Sequence, residues 1–238
     1  MMNCNKVISQ IVIVVMTFLF SFLIQKWPDE YHNSTLLSIL GGIKVEEGNS
    51  INLLAMGRWL FLLGFFLVIL GINITMFQKT RSMALYRYKS IKSWWKEYFF
   101  TIHKNILLYY IIIIIVVLLY NSEKIGLDEI LVIFTYYLHL CCLISFILAF
   151  DVVYRKKAIL GIIIIFEGVL YILSVQYSCM WLVPGMYVCS SWCIDNGFDG
   201  LLVFAFELVA IVFFWSLIPF LWKKGFFERK SVIDGNSD

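Results

Sequence analysis

The stretch NILLYYIIIIIVVLLY, from Asn105 to Tyr120, carries no charge, and it is one of six long apolar blocks in the chain. The others are Val7–Gln25, Trp59–Met76, Ile130–Phe150, Ala158–Val175 and Gly200–Trp222. At about 1.5 Å per residue, 18 to 21 helical residues reach roughly 27 to 31 Å, the thickness of a bilayer's hydrocarbon core. In lipid every backbone N–H and C=O must be satisfied within the protein, which leaves helices or closed barrels. Unbroken apolar runs without alternation select helices. The third block is short by itself and is expected to begin before Asn105, within FFTIHK. The predicted fold is therefore an all-α polytopic membrane protein with six transmembrane helices, at about 7–25, 59–76, 102–120, 130–150, 158–175 and 200–222. No linker or soluble domain is visible, so 1–238 reads as one transmembrane domain. A charged content of 15% agrees, since ordinary globular domains hold about 25%. The first block has only Lys6 before it and no small-residue cleavage site in the following KWPDEYHN, so it reads as a retained span, not a signal peptide.

Orientation follows from the cationic residues of the connecting loops. Fifteen Lys and Arg fall before span one, between spans two and three, between four and five, and after span six. Four fall on the other side, Lys26, Lys44, Arg58 and Lys124. Both termini are accordingly expected in the cytoplasm, with the segment 77–101 as the first cytoplasmic loop. The net charge of +3 is what this asymmetry produces and implies no nucleic-acid partner. The basic loops suit anionic lipid headgroups.

The external loops differ in kind. The first, 26–58, contains LLSILGGI and predicts a short amphipathic helix at the outer interface. The second, NSEKIGLDE, is tight and polar. The third, QYSCMWLVPGMYVCSSWCIDNGFDG, has no Lys or Arg and is too apolar for a solvated loop. It predicts two short re-entrant helices broken at Pro184-Gly185. Within it Cys179, Cys189 and Cys193 leave a disulfide or unpaired thiols open, and the loop has no His to complete a metal site. Asn33-Ser34-Thr35 is a glycosylation sequon on the same side, and the tryptophans at span ends, Trp59 among them, read as an interfacial belt.

No phosphate-binding loop, zinc-protease helix or nucleophile elbow occurs, and Glu46-Glu47 has no neighbouring His. The chain is not expected to be an enzyme. Three ionisable residues lie inside predicted spans: His139, Glu167 and Glu207. Such groups are costly in lipid and mark function or interhelical bonding. Both readings are open, a polar patch on a pathway or structural glue. Cys141 and Cys142 read as packing residues.

The sequence ALYRYKSIKSWWKEYFF, Ala84 to Phe100, interrupts the apolar pattern. Ile91, Trp94, Trp95 and Tyr98 fall at helical spacing on one face, with Lys89, Lys92 and Lys96 opposite and Ser90 as the N-cap. That predicts an interfacial helix on the inner membrane surface, ahead of the third span. Tyr86, Arg87 and Tyr88 precede it at a turn and read as a protein contact.

Arg87, Tyr88, Ser90 and Trp94 match the form R-[YF]-x-S-x-x-x-W in the first cytoplasmic loop of short bacterial permeases. In this, and in its six-span topology, the chain resembles the permease subunits of type-2 export-class ABC transporters. The resemblance implies that Tyr86, Arg87, Tyr88 and Ser90 dock on a separate ABC ATPase subunit, with DVVYRKK as a minor contact. It implies a second permease chain, identical or related, and ATP and Mg on the partner ATPase with no cofactor on this chain. It also implies a bacterial plasma membrane, and export of, or immunity to, antimicrobial peptides or other amphipathic compounds. The brief third span departs from the pattern. Readings from other classes are a vitamin-importer substrate-binding component, a stand-alone bacteriocin-immunity protein, and an intramembrane enzyme built on His139, Glu167 and Glu207.

Overall fold

The computed structural model describes residues 4–25, 35–40, 53–87, 91–121, 126–154, 158–176 and 204–217, and among them the chain is helical with no strand. The helices are α1 (Cys4–Gln25), α2 (Thr35–Leu40), α3 (Leu53–Arg87), α4 (Ile91–Asn121), α5 (Leu127–Tyr154), α6 (Ala158–Gln176) and α7 (Phe204–Leu217). Stretches of α3, α4 and α5 are long and apolar enough to cross a membrane: Met56–Phe77, Ser93–Leu119 and Glu129–Asp151. Shorter apolar runs occupy α1, α6 and α7, at Gln10–Ile24, Ile159–Leu173 and Phe204–Leu217. The proposed termini, the re-entrant segment and its cysteines, the sequon's Asn33 and Ser34, and Glu46-Glu47 lie outside the described residues.

Side-chain pairs define how the helices run. Phe66, Asn73 and Phe77 of α3 meet Tyr110, Asn105 and Tyr98 of α4, in that order, so the two form an antiparallel hairpin. Tyr110 stacks on Tyr136 and donates to the Ile133 carbonyl at 2.7 Å, pairing α4 antiparallel with α5. On α5 and α7, His139 meets Glu207 and Phe146 meets Phe214, a constant offset that makes these two helices parallel. Alternating direction through α3, α4, α5, α6 and α7 is what a serpentine of spans requires.

Each helix turns a 3.6-residue stripe inward. On α4 the buried set runs Trp95, Tyr98, Ile102, Ile106, Tyr109, Ile113 and Val117 without a break. The block Asn105–Tyr120 is part of a continuous 31-residue helix, roughly 46 Å long. The small helix α2 is also unlike its expected form. Its Leu36, Ile39 and Leu40 are buried against α4 and α5, not laid on an outer interface. Buried hydroxyls are satisfied inside their own helices, Thr17 on Ile13, Ser21 on Thr17 and Ser145 on Cys141 carbonyls.

The α3–α6 contact is a glycine seam. A Cβ on Gly168 would lie 3.5 Å from Leu60, one on Gly64 3.9 Å from Ile164, and one on Gly71 2.9 Å from Leu160. The pairs run 60 with 168, 64 with 164 and 71 with 160, an antiparallel register in which small residues admit the partner's aliphatic tips. A large side chain in the tightest of these places drives the helices apart. Gly71→Leu is expected to destabilise by about 1–3 kcal/mol, as overpacking does. Gly161→Ala, where a Cβ meets nothing within 4 Å, leaves thermal unfolding in detergent unchanged or raises its midpoint.

Candidate functional site

Three helices each bring one ionisable side chain to a shared point on their buried faces. On α5 the buried stripe is Val132, Tyr136, His139, Leu140, Ile144 and Ile147. On α6 it is Ile163, Glu167 and Tyr171. On α7 Glu207 is the one fully buried residue among those described, with Phe214 half-buried one face-repeat below. The three meet. His139 Nδ1 lies 3.1 Å from Glu207 Oε1, and Nε2 lies 3.4 Å from Glu167 Oε1. Their exposures of 4%, 2% and 2% exclude bulk water from all three.

An aromatic wall closes the cluster on the α3 side. Trp59 meets Tyr136 edge-on at 5.1 Å between ring centroids, and its ring lies 6.0 Å from the imidazole. Trp59 is thus buried against His139 and is not a lipid-facing belt residue. Four atoms here have no hydrogen-bond partner among the described residues: Trp59 Nε1, Tyr136 Oη, Glu167 Oε2 and His139 Nε2, whose 3.4 Å approach to Glu167 is a charge contact only. Buried polar atoms are ordinarily paired, so this group retains bonding capacity. Arg58, counted above among loop cations, is buried one residue before Trp59 within α3. His139 and Glu167 fall near the middle of their apolar runs, whereas Trp59 falls near the start of α3's. The cluster therefore sits toward the end of the bundle where α3 begins, away from the α3–α4 connection.

The arrangement is poorly suited to a metal ion. Both imidazole nitrogens already face carboxyl oxygens, leaving no ring lone pair directed at a shared centre. Among the described residues no group of three His, Cys, Asp or Glu side chains has metal-binding geometry.

The other predicted residues lie at the opposite end. Tyr86 and Arg87 form the last turn of α3 and Ile91 begins α4, while Tyr88 and Ser90 lie outside the described residues. The segment 77–101 is thus mostly helix rather than loop. The separate interfacial helix is replaced by the first turns of a continuous α4. Its aromatic face is covered by protein: Trp94, Trp95 and Tyr98 are buried, with Tyr98 4.7 Å from Phe77 and stacked on Trp94 at 5.0 Å. Indoles that pack at a lipid surface and indoles that pack on a neighbouring helix share one periodicity, which is why spacing alone placed them at the interface.

Tyr136 and Trp59 are the members of the cluster that sequence reasoning missed. Tyr136 stands three residues before His139, one helical turn away on the same face, and that spacing was the available signal. No family model, no curated protein and no solved structure matches this chain.

Removing one member of a buried charged set strands the rest, whereas replacing the whole set with apolar residues need not. His139→Leu is expected to lower stability by about 3–5 kcal/mol. Adding Glu167→Leu and Glu207→Leu to it should recover most of that loss, read as the unfolding midpoint of each purified variant.

Proposed function

We propose that this chain is a six-span permease subunit of an ATP-driven exporter in a bacterial plasma membrane, coupled to a separate ABC ATPase through the tip of the α3–α4 hairpin. The observation that carries the reading is a change along the exposed face of α4. That face presents Lys96, Glu97, Phe100 and Lys104, then Leu108, Ile111, Ile115 and Leu119. The polar-to-apolar step falls beside Asn105, which donates to Asn73 of α3 at 2.8 Å. Lipid contact suits the second half of this face and water the first. Taken that way, α3 continues from Asn73 to Arg87 beyond the hydrocarbon, roughly 21 Å of helix, with α4 beside it. A helical projection ending in Tyr86-Arg87 suits docking on a soluble motor better than resting on headgroups. Aromatic and arginine side chains are the commonest anchors of such contacts. A second copy of the chain, or a related one, would complete the pathway. Export of, or immunity to, antimicrobial peptides is the activity that the resemblance suggests.

The test separates docking from folding. Arg87→Glu with Tyr88→Ala is expected to leave abundance normal and abolish co-purification of an ATPase subunit. Loss of two such anchors costs 2 kcal/mol or more each, about thirtyfold in affinity. Trp95→Ala instead removes a fully buried side chain from the hairpin and should cost about 3–5 kcal/mol, seen as lowered abundance. A cysteine at position 82, within α3's projection, should react with an impermeant maleimide only after cells are opened. Normal ATPase capture by the Arg87/Tyr88 variant, or labelling of position 82 from outside, would remove this reading.

A further inference from the structure

We propose that the cluster of His139, Glu167 and Glu207 is a proton-binding site, which accepts and returns one proton at Glu167 Oε2. The inference stands apart from the ATPase reading, since it concerns the opposite end of the bundle and needs no partner chain.

The argument begins with the two contacts. A neutral imidazole has one N–H, yet both of its nitrogens face carboxyl oxygens, at 3.1 and 3.4 Å. Two protons shared over the three groups can serve both contacts, either both on the ring or one on the ring and one on a carboxyl. That form carries a net charge of −1. A third proton brings the cluster to zero while both ring contacts persist, as imidazolium, carboxylate and carboxylic acid.

The structure reserves a place for the third proton. Of the four carboxyl oxygens, each Oε1 faces the imidazole, and Glu167 Oε2 is buried without a hydrogen-bond partner among the described residues. The Tyr136 hydroxyl is likewise buried and unpartnered, one helical turn before His139 on the same face. A hydroxyl donates to a carboxylate and accepts from a carboxylic acid, so Tyr136 suits either form of Glu167. The step is balanced: hydronium gives its proton to Oε2 and leaves as water, and the cluster passes from −1 to zero. A buried, low-dielectric setting makes that unit of charge the main difference between the two forms.

The ionisable neighbours on the packed helices are few. They are Arg58 on α3, Tyr110 on α4 behind Tyr136, Tyr136 with Cys141 and Cys142 on α5, and Tyr171 beside Glu167 on α6. A carboxyl shared with a histidine is the member of this set built to change charge.

The test is infrared spectroscopy of the purified full-length protein in lipid vesicles, titrated between about pH 5 and 9. The wild type is expected to show a carboxylic C=O band that disappears as pH rises and shifts in deuterium oxide. Glu167→Gln should abolish that band, and Asp151→Asn, which alters the buried carboxyl at the far end of α5, should leave it. Glu207→Gln should move its midpoint. Absence of any titrating band in the wild type would overturn the proposal without recourse to variants. A band that survives Glu167→Gln in protein of unchanged helical circular dichroism would overturn it equally, by assigning the proton elsewhere.

Discussion

A histidine held between two carboxyls organises one end of this bundle. Apolar helices in lipid gain nothing from the hydrophobic effect by touching each other, so shape and polar contacts decide which of them associate. For α7 the position is extreme. Its outer surface is Phe206, Val209, Val212, Phe213 and Trp215, and its one fully buried side chain is a carboxyl. The bond from His139 to Glu207, seconded by Phe146 against Phe214, is what directs this helix onto α5 and sets its height. Glu167 does the same for α6, which the glycine seam then brings close to α3.

Much of this was legible in the chain. Six long apolar blocks placed six helices, because backbone hydrogen bonding in an apolar setting admits little else. The three residues of the cluster were visible individually for the same reason: a charge within such a block is costly and conspicuous. Their meeting was not visible, since it depends on how α5, α6 and α7 are rotated about their own axes. Tyr136 and Trp59 were hidden further by their type, because aromatic residues inside membrane blocks are unremarkable in sequence. The tryptophans of α4 show the opposite failure. Trp94, Trp95 and Tyr98 lie on one face next to lysines, a pattern that lipid headgroups and a helical neighbour satisfy equally well. Burial against Phe77 and the rest of the bundle resolves it toward the neighbour.

The two ends of the bundle have opposite chemistry. Among the described residues the ionisable groups around Trp59 are enclosed, whereas on the first turns of α4 Lys96, Glu97 and Lys104 are exposed. A transport subunit worked from one face needs both: a surface on which force is applied, and an interior whose character can change. The proposed docking tip and the proposed proton site are independent claims, yet a single helix contains residues of the first and lines the second.

That helix has a mechanical ratio. Asn73, bonded to Asn105, lies fourteen residues from Trp59 and fourteen from Arg87. Each arm is roughly 21 Å. With the amide pair as fulcrum, α3 is a balanced lever: a tilt that carries Arg87 in one direction carries Trp59 equally far in the other. Motion applied at the tip would arrive beside His139 reversed in sense and unscaled, and a change in the cluster's charge would be returned to the tip on the same terms.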